Sequence, residues 1–330
     1  MKVCLVILAQ VETADLMLAR SKLSVAHVMV SDPGHADVIL LMGADARQPH
    51  LVLNSREYRE YPDRCAVYTE EDSYLPLFPG VYCSAEVDQS TRSGRVFNFS
   101  YMGRNGRHAN PYVHDIGARR TEKKYLFTFQ GGSTSFVRKR LFRTNFHRSD
   151  VLIENTSSFL NWDNSQSDRS ERQRRYADVM AASDFVLCPR SAGAGSIRLF
   201  EVMGAGIAPV LISDNYALPP GIDWDSFLIR CRERDIARLP EMLDALRNSA
   251  AERGRLALAA YKEHFEGLRE FDRIIELAAA TLHHAEPAES WYRTRHAQMI
   301  RRFRLRLSAR ETLRRMALLV LSPLRINYRG

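Results

Sequence analysis

The stretch Cys188-Pro189-Arg190-Ser191-Ala192-Gly193-Ala194-Gly195-Ser196-Ile197-Arg198-Leu199-Phe200-Glu201-Val202-Met203 holds the residue types from which an anion site is built. An apolar run ends at Pro189, two glycines free the backbone to turn, and a helix is expected to start near Ser196. A helix N-terminus presents unpaired N–H groups and the positive end of a dipole, so phosphate is favoured there. Arg190 and Arg198 flank that point, and a guanidinium fork matches phosphate oxygens. Leu199, Val202 and Met203 form the core-facing stripe, which puts Arg198 and Glu201 on the opposite, open side. A carboxylate one turn into the helix can accept both hydroxyls of a ribose whose phosphates sit at the helix end. Arg198 and Glu201 alone also fit a surface ion pair. Joined to the strand, the glycine loop and Arg190, they predict a nucleotide diphosphate pocket.

Such a pocket needs strands and helices to hold it. Short Val/Ile/Leu runs (3–8, 25–30, 37–42, 51–53 and 65–68) suit strands buried on both faces, as in a parallel α/β sheet. Phe97, Phe99 and Tyr101 alternate with Asn98 and Ser100, which predicts a half-exposed strand. The charge run 119–124 reads as a boundary, and the pattern then restarts. Tyr125–Phe129 reads as a strand, Gln130–Ser133 as a tight loop, 135–142 as a helix and 151–153 as a strand. A helix over 172–182 leads to the strand 185–188, and the chain is mostly helical from Asp235. The fold class is therefore α/β with two Rossmann-like halves: residues 1–120, residues 121–290, and a separate tail, 291–330.

Composition narrows the classes. In 330 residues, 45% hydrophobic and 26% charged exclude a disordered chain or a multi-span membrane protein. The net charge of +8 belongs to the tail, where eleven Arg and one acidic residue, Glu311, leave the first 290 residues slightly acidic. Met299, Ile300, Phe303 and Leu307 share one helical face with Arg302 and Arg306 at its edge. That pattern fits an interfacial helix on anionic lipid, and equally a helix packed on the first domain with a solvated Arg face. No nucleic-acid-binding signature accompanies it, and nucleic acid is not an expected partner. The five cysteines are scattered, with no metal-ligand spacing. With an apolar start too short for a signal peptide, they predict a reduced, cytoplasmic setting.

The run from Tyr176-Ala177-Asp178-Val179-Met180 through Ser183–Arg190, Gly195-Ser196-x-Arg198-Leu199-Phe200-Glu201-Val202-Met203, Pro209–Leu218-Pro219 and Ile222–Phe227 resembles the exostosin family of glycosyltransferases. Upstream, Lys124–Gly131 followed by Arg138-x-x-Leu141 is similar to the strand and loop that open that family's second domain. The resemblance covers about residues 123–246. It implies a GT-B fold, with two Rossmann-like domains facing a cleft, and inverting transfer from a nucleotide sugar, usually a UDP-sugar. It implies donor-site roles for Arg198 and for Glu201, which would hold the ribose, with Gly131 and Arg138 approaching the diphosphate from the other loop. Arg190, Gly195 and Ser196 complete the expected donor set. No metal is expected: phosphate between two helix ends and two Arg is favourable without one. Asp223-Trp224-Asp225 has DxD spacing, but in this register Trp224 is expected to pack.

Inverting transfer needs a base for the acceptor hydroxyl, which is expected from the first domain. Glu70, Glu71 and Asp72 follow the strand 65–68, at the strand end where ligands sit in open α/β sheets. Glu71 and Asp72 are the named candidates, with His114-Asp115 second, and the segment 79–84 is expected as a loop shaping acceptor binding. A nucleotide-sugar donor and a glycan or lipid-linked acceptor would be the partners. A retaining GT-B transferase or phosphorylase and a catalytically silent GT-B partner protein are the alternatives.

Overall fold

The computed structural model describes residues 1–43, 50–72, 76, 78–87, 94–106, 109–118, 121–158 and 168–283. The whole of the Arg-rich tail, 291–330, lies outside the described residues. Among them no helix is long and apolar enough to cross a membrane.

Two sheets carry the chain, and every strand pair within them is parallel. The first comprises β1 (Lys2–Ile7), β2 (Val28–Met29), β3 (Val38–Met42), β4 (Cys65–Thr69), β5 (Gly80–Tyr82) and β6 (Val96–Asn98), in the order β2-β1-β3-β4-β5-β6. The second comprises β7 (Tyr125–Gly131), β8 (Val151–Asn155), β9 (Ser183–Pro189), β10 (Ala208–Ile212) and β11 (Ile229–Arg230), in the order β11-β10-β9-β7-β8. β3 and β4 are buried along their whole length, as strands covered on both faces must be. This is the pair of parallel α/β halves required by the GT-B expectation. In the second sheet the strand order reverses between β7 and β9, so their carboxyl ends meet at a topological switch point, the place where ligands sit in open α/β sheets.

Seven helices of eight residues or more are described: α1 (Glu12–Ser21), α2 (Phe136–Arg143), α3 (Arg169–Ala181), α4 (Ile197–Gly204), α5 (Leu239–Leu246), α6 (Ala250–His264) and α7 (Leu268–His283). α2 follows β7 and α4 follows β9, so both helices begin at the switch point. α7 lies far along the chain yet packs on β3, β4 and β5 of the first sheet. Phe271, Ile274, Ile275 and Ala278 are its buried stripe. One hydrophobic core consequently runs from Val3 and Leu40 through Phe271 and Ile275 to Phe200 and Leu199. A second core fills the other face of the second sheet around Phe129, Leu187 and Leu243.

Several expectations are corrected here. Residues 51–53 lie in a short helix, His50–Asn54, rather than a strand: three apolar residues suit either periodicity, and only Val52 is buried. The strand expected over 25–30 is confined to β2, and Val25 is 98% exposed. Residues 80–82 form β5, not a loop. Asn98 and Ser100 are buried, not solvent-facing: the Asn98 amide bonds the Ala85 and Ala217 carbonyls, and the Ser100 hydroxyl bonds Glu270.

Candidate functional site

The loops after β7 and β9 meet at the switch point and are tied to each other. Ser135 caps α2 by accepting from the Arg138 N–H (3.2 Å), and its hydroxyl donates to the Arg190 carbonyl at 3.0 Å. The Arg138 side chain crosses the same gap, with Nε on the Arg190 carbonyl (3.1 Å), Nη2 on that of Pro189 (3.2 Å) and Nη1 on that of Gly132 (3.4 Å). Arg138 is thus a strut between the two loops as well as a positive charge beside them.

Arg198 enters from α4. It is buried, not on an open helix face as its spacing suggested. It donates through Nη2 to the Gln130 carbonyl, and a Cβ on Gly131 would stand 3.2 Å from that nitrogen. Both guanidinium groups lie over the Phe129 ring, Arg138 at 5.5 Å and Arg198 at 4.6 Å from its centroid. Two like charges in one dry place repel. Burial first, and Arg198 second, push the Arg138 guanidinium down to about 10. The two guanidinium groups concentrate positive charge at the switch point.

Glu201, one turn further along α4, joins this cluster through a residue that the spacing argument missed. Tyr176 of α3 accepts from Arg198 Nε at 3.0 Å and donates to Glu201 Oε2 at 2.8 Å. Arg138, Arg198 and Glu201 therefore share one cluster at the switch point. Arg190 is nearby but partly engaged, with Nε on the Gly193 carbonyl (3.1 Å) and Nη1 3.7 Å from Glu233. Ser196 is the N-cap residue of α4. Its buried hydroxyl makes no capping bond and, among the described residues, has no hydrogen-bond partner, which leaves a polar group unspent at the start of the helix.

Across from this cluster lies the carboxyl edge of the first sheet. The glycine loop touches it directly: Gly195 N–H donates to Ser84 Oγ at 2.8 Å. A Cβ on Gly193 would stand 2.1 Å from the Asp72 carbonyl, and one on Gly195 would stand 2.5 Å from that of Cys83. Asp72 is half-buried and accepts from the Tyr101 hydroxyl at 3.1 Å. Its charge reaches Arg138 and supports the protonated form of that guanidinium. Glu71 is exposed, and Glu70 is consumed by bonds from Tyr68 Oη (2.8 Å) and Gly103 N–H (3.0 Å). His114 shares with Glu201 a cavity of only 20 Å³, room for one water. Larger hollows of 460 and 500 Å³ lie elsewhere, at the amino edge of the second sheet and on the α6–α7 surface. Trp224 packs as expected, donating to the Pro219 carbonyl at 2.8 Å, while Asp223 and Asp225 are exposed. All five cysteines are buried thiols.

The profile of the Exostosin GT47 domain matches residues 81–246, just over half of the chain. The chain belongs to the exostosin family. Exostosin-1 homolog of Caenorhabditis elegans is 34% identical over 137 residues, covering 37% of this chain and 35% of that protein. Exostosin-1 of Drosophila melanogaster is 33% identical over 144 residues, covering 40% of this chain and 19% of that protein. This exostosin-family chain thus matches about a third or less of the length of those curated relatives. Among solved structures, an alpha1,3-fucosyltransferase is similar over 85% of this chain and 89% of its own, at 11% identity and a TM-score of 0.42. At that score the likeness has no bearing on function.

Proposed function

We propose that this exostosin-family protein is an inverting glycosyltransferase that moves a sugar from a UDP-sugar to a glycan or lipid-linked saccharide. The observation that carries the reading is the convergence of two helix N-termini and two buried guanidinium groups at the switch point, with Asp72 facing them from the other sheet. The diphosphate would lie at the starts of α2 and α4, near Gly131, Arg190, Gly195, the Ser196 hydroxyl and Arg198. The ribose would lie on Glu201. Asp72, held by Tyr101, would take the proton of the acceptor hydroxyl as its oxygen attacks the anomeric carbon. The bond from that carbon to the diphosphate breaks, and the electron pair stays on the phosphate oxygen, where the fixed positive groups stabilise it. These groups support a reaction that needs no metal.

Glu201→Ala is expected to weaken UDP binding about tenfold by calorimetry; unchanged affinity would remove Glu201 from the pocket. Asp72→Asn should cut turnover by about 10²–10⁴ while leaving UDP affinity intact. No turnover with any member of a UDP-sugar panel, in the presence of glycan acceptors, would favour a silent partner protein instead. We further propose a cytoplasmic protein drawn to anionic membrane by residues 291–330, because eleven Arg interleave there with apolar residues. Equal liposome flotation with and without that segment would end the lipid reading.

A further inference from the structure

We propose that Tyr176 is the positioning residue of the nucleotide site, a spacer whose phenol keeps Arg198 and Glu201 apart and so leaves Glu201 free to select ribose hydroxyls. The inference rests on the nucleotide reading above and adds to it a residue on a third element, α3.

The hydrogen-bond chemistry permits one arrangement. Arg198 Nε–H only donates and an ionised carboxylate only accepts, so the phenol oxygen must receive the first bond, at 3.0 Å, and give its proton to Glu201, at 2.8 Å. Burial pushes the Tyr176 ionisation up, which favours the phenol keeping that proton. Among the described residues, the Glu201 carboxylate has no other hydrogen bond, which leaves Oε1 to accept two vicinal hydroxyls. Arg198 spends Nε on Tyr176 and Nη2 on the Gln130 carbonyl, and among the described residues Nη1 has no hydrogen-bond partner.

Without the phenol, Arg198 and Glu201 sit at i and i+3 on one helix, the spacing at which opposite charges close into a direct pair. That pair would consume the carboxylate meant for the ribose, while the Arg198 Nη1 group stays with the phosphates. Tyr176 is firmly anchored between them, because α3 buries Ala177, Met180 and Ala181 and the Arg198 guanidinium lies 5.5 Å from the Tyr176 ring centroid.

The test uses the full chain, with UDP and 2′,3′-dideoxy-UDP as calorimetric probes. Wild type should prefer UDP, and Tyr176→Phe, which keeps the ring and loses only the hydroxyl, should lower that preference about tenfold. Its affinity for the dideoxy form should change much less. The ratio is read only on folded protein, so a reduced folded fraction does not imitate the effect. In a Glu201→Ala background, Tyr176→Phe should have no further effect on UDP affinity. A Tyr176→Phe protein that keeps the wild-type preference overturns the role of Tyr176 alone. A further loss in the Glu201→Ala background shows that the phenol acts elsewhere, and also overturns it. Wild type that binds UDP without telling it from its dideoxy form overturns the ribose reading beneath it. Wild type that binds neither overturns both.

Discussion

At the scale of single residues, the glycines of the β9–α4 loop are governed by contact between the two halves. A Cβ on Gly193 would stand 2.1 Å from the Asp72 carbonyl and 2.2 Å from Ser84 Oγ, and the first of these is backbone that cannot rotate away. Gly132, in the loop after β7, is different: its nearest neighbours would stand 3.8 Å and 3.9 Å from a Cβ. Gly193→Ala should therefore cost roughly 1–3 kcal/mol of stability through overpacking. It should also displace Asp72 against the β9–α4 loop, and if Asp72 is the base proposed above, a shift of about 1 Å costs about a hundredfold in rate. Gly132→Ala should change neither quantity measurably. Thermal unfolding and turnover of the two variants check this, and equal effects would show that the close approach at Gly193 is not what selects glycine. The sequence placed two glycines before a helix and suggested phosphate contact. It offered Asp72 as a candidate base but held no sign of its contact with Gly193, because the carbonyl that forbids a side chain lies 121 positions earlier in the chain.

At the scale of elements, α7 locks the first half to the polypeptide that follows the second. Its Glu270 is fully buried and receives bonds from Arg104, from Ser100, from Arg20 at 2.6 Å and from Asn105 at 3.3 Å. Arg104 carries the connection onward to the Phe265 carbonyl at 2.7 Å. Removing one partner of a buried ion cluster strands the others, so Glu270→Ala should destabilise the protein by about 3–5 kcal/mol. The readout is the denaturant midpoint. A change under about 1 kcal/mol, the range of exposed pairs, would mean that water already compensates these charges. Local pattern revealed the strand–loop–helix units around residues 125–143 and 183–203, since a buried parallel strand followed by an amphipathic helix is written in neighbouring residues. It did not reveal this lock. A glutamate on an amphipathic helix reads as solvated, and its partners come from α1 and from the segment after β6. The same limit hid Tyr176, whose partners Arg198 and Glu201 lie on another helix; Leu51-Val52-Leu53 looks like a strand for a different reason, because so short an apolar run suits either periodicity.

At the scale of the whole molecule, the two sheets share one core through α4, α6 and α7, so whatever steadies the switch point steadies the entire cooperative unit. In the free protein that point holds two guanidinium groups on one ring, with Arg138 pushed down to about 10 by burial and by its neighbour. An anion there offsets both penalties. A ligand present at a hundred times its dissociation constant adds about 2.7 kcal/mol to the stability of a one-site protein. For a unit of this size each 1 kcal/mol moves the midpoint by roughly 2–4 °C, so saturating UDP should raise it by about 5–10 °C. Pyrophosphate should give part of that rise, uridine almost none, and the UDP shift should survive a chelator because the positive charge is the chain's own. Uridine matching UDP would mean that the base, not the charge, anchors the nucleotide. A shift abolished by chelation would mean that a divalent ion supplies the positive charge that Arg138 and Arg198 are here held to provide.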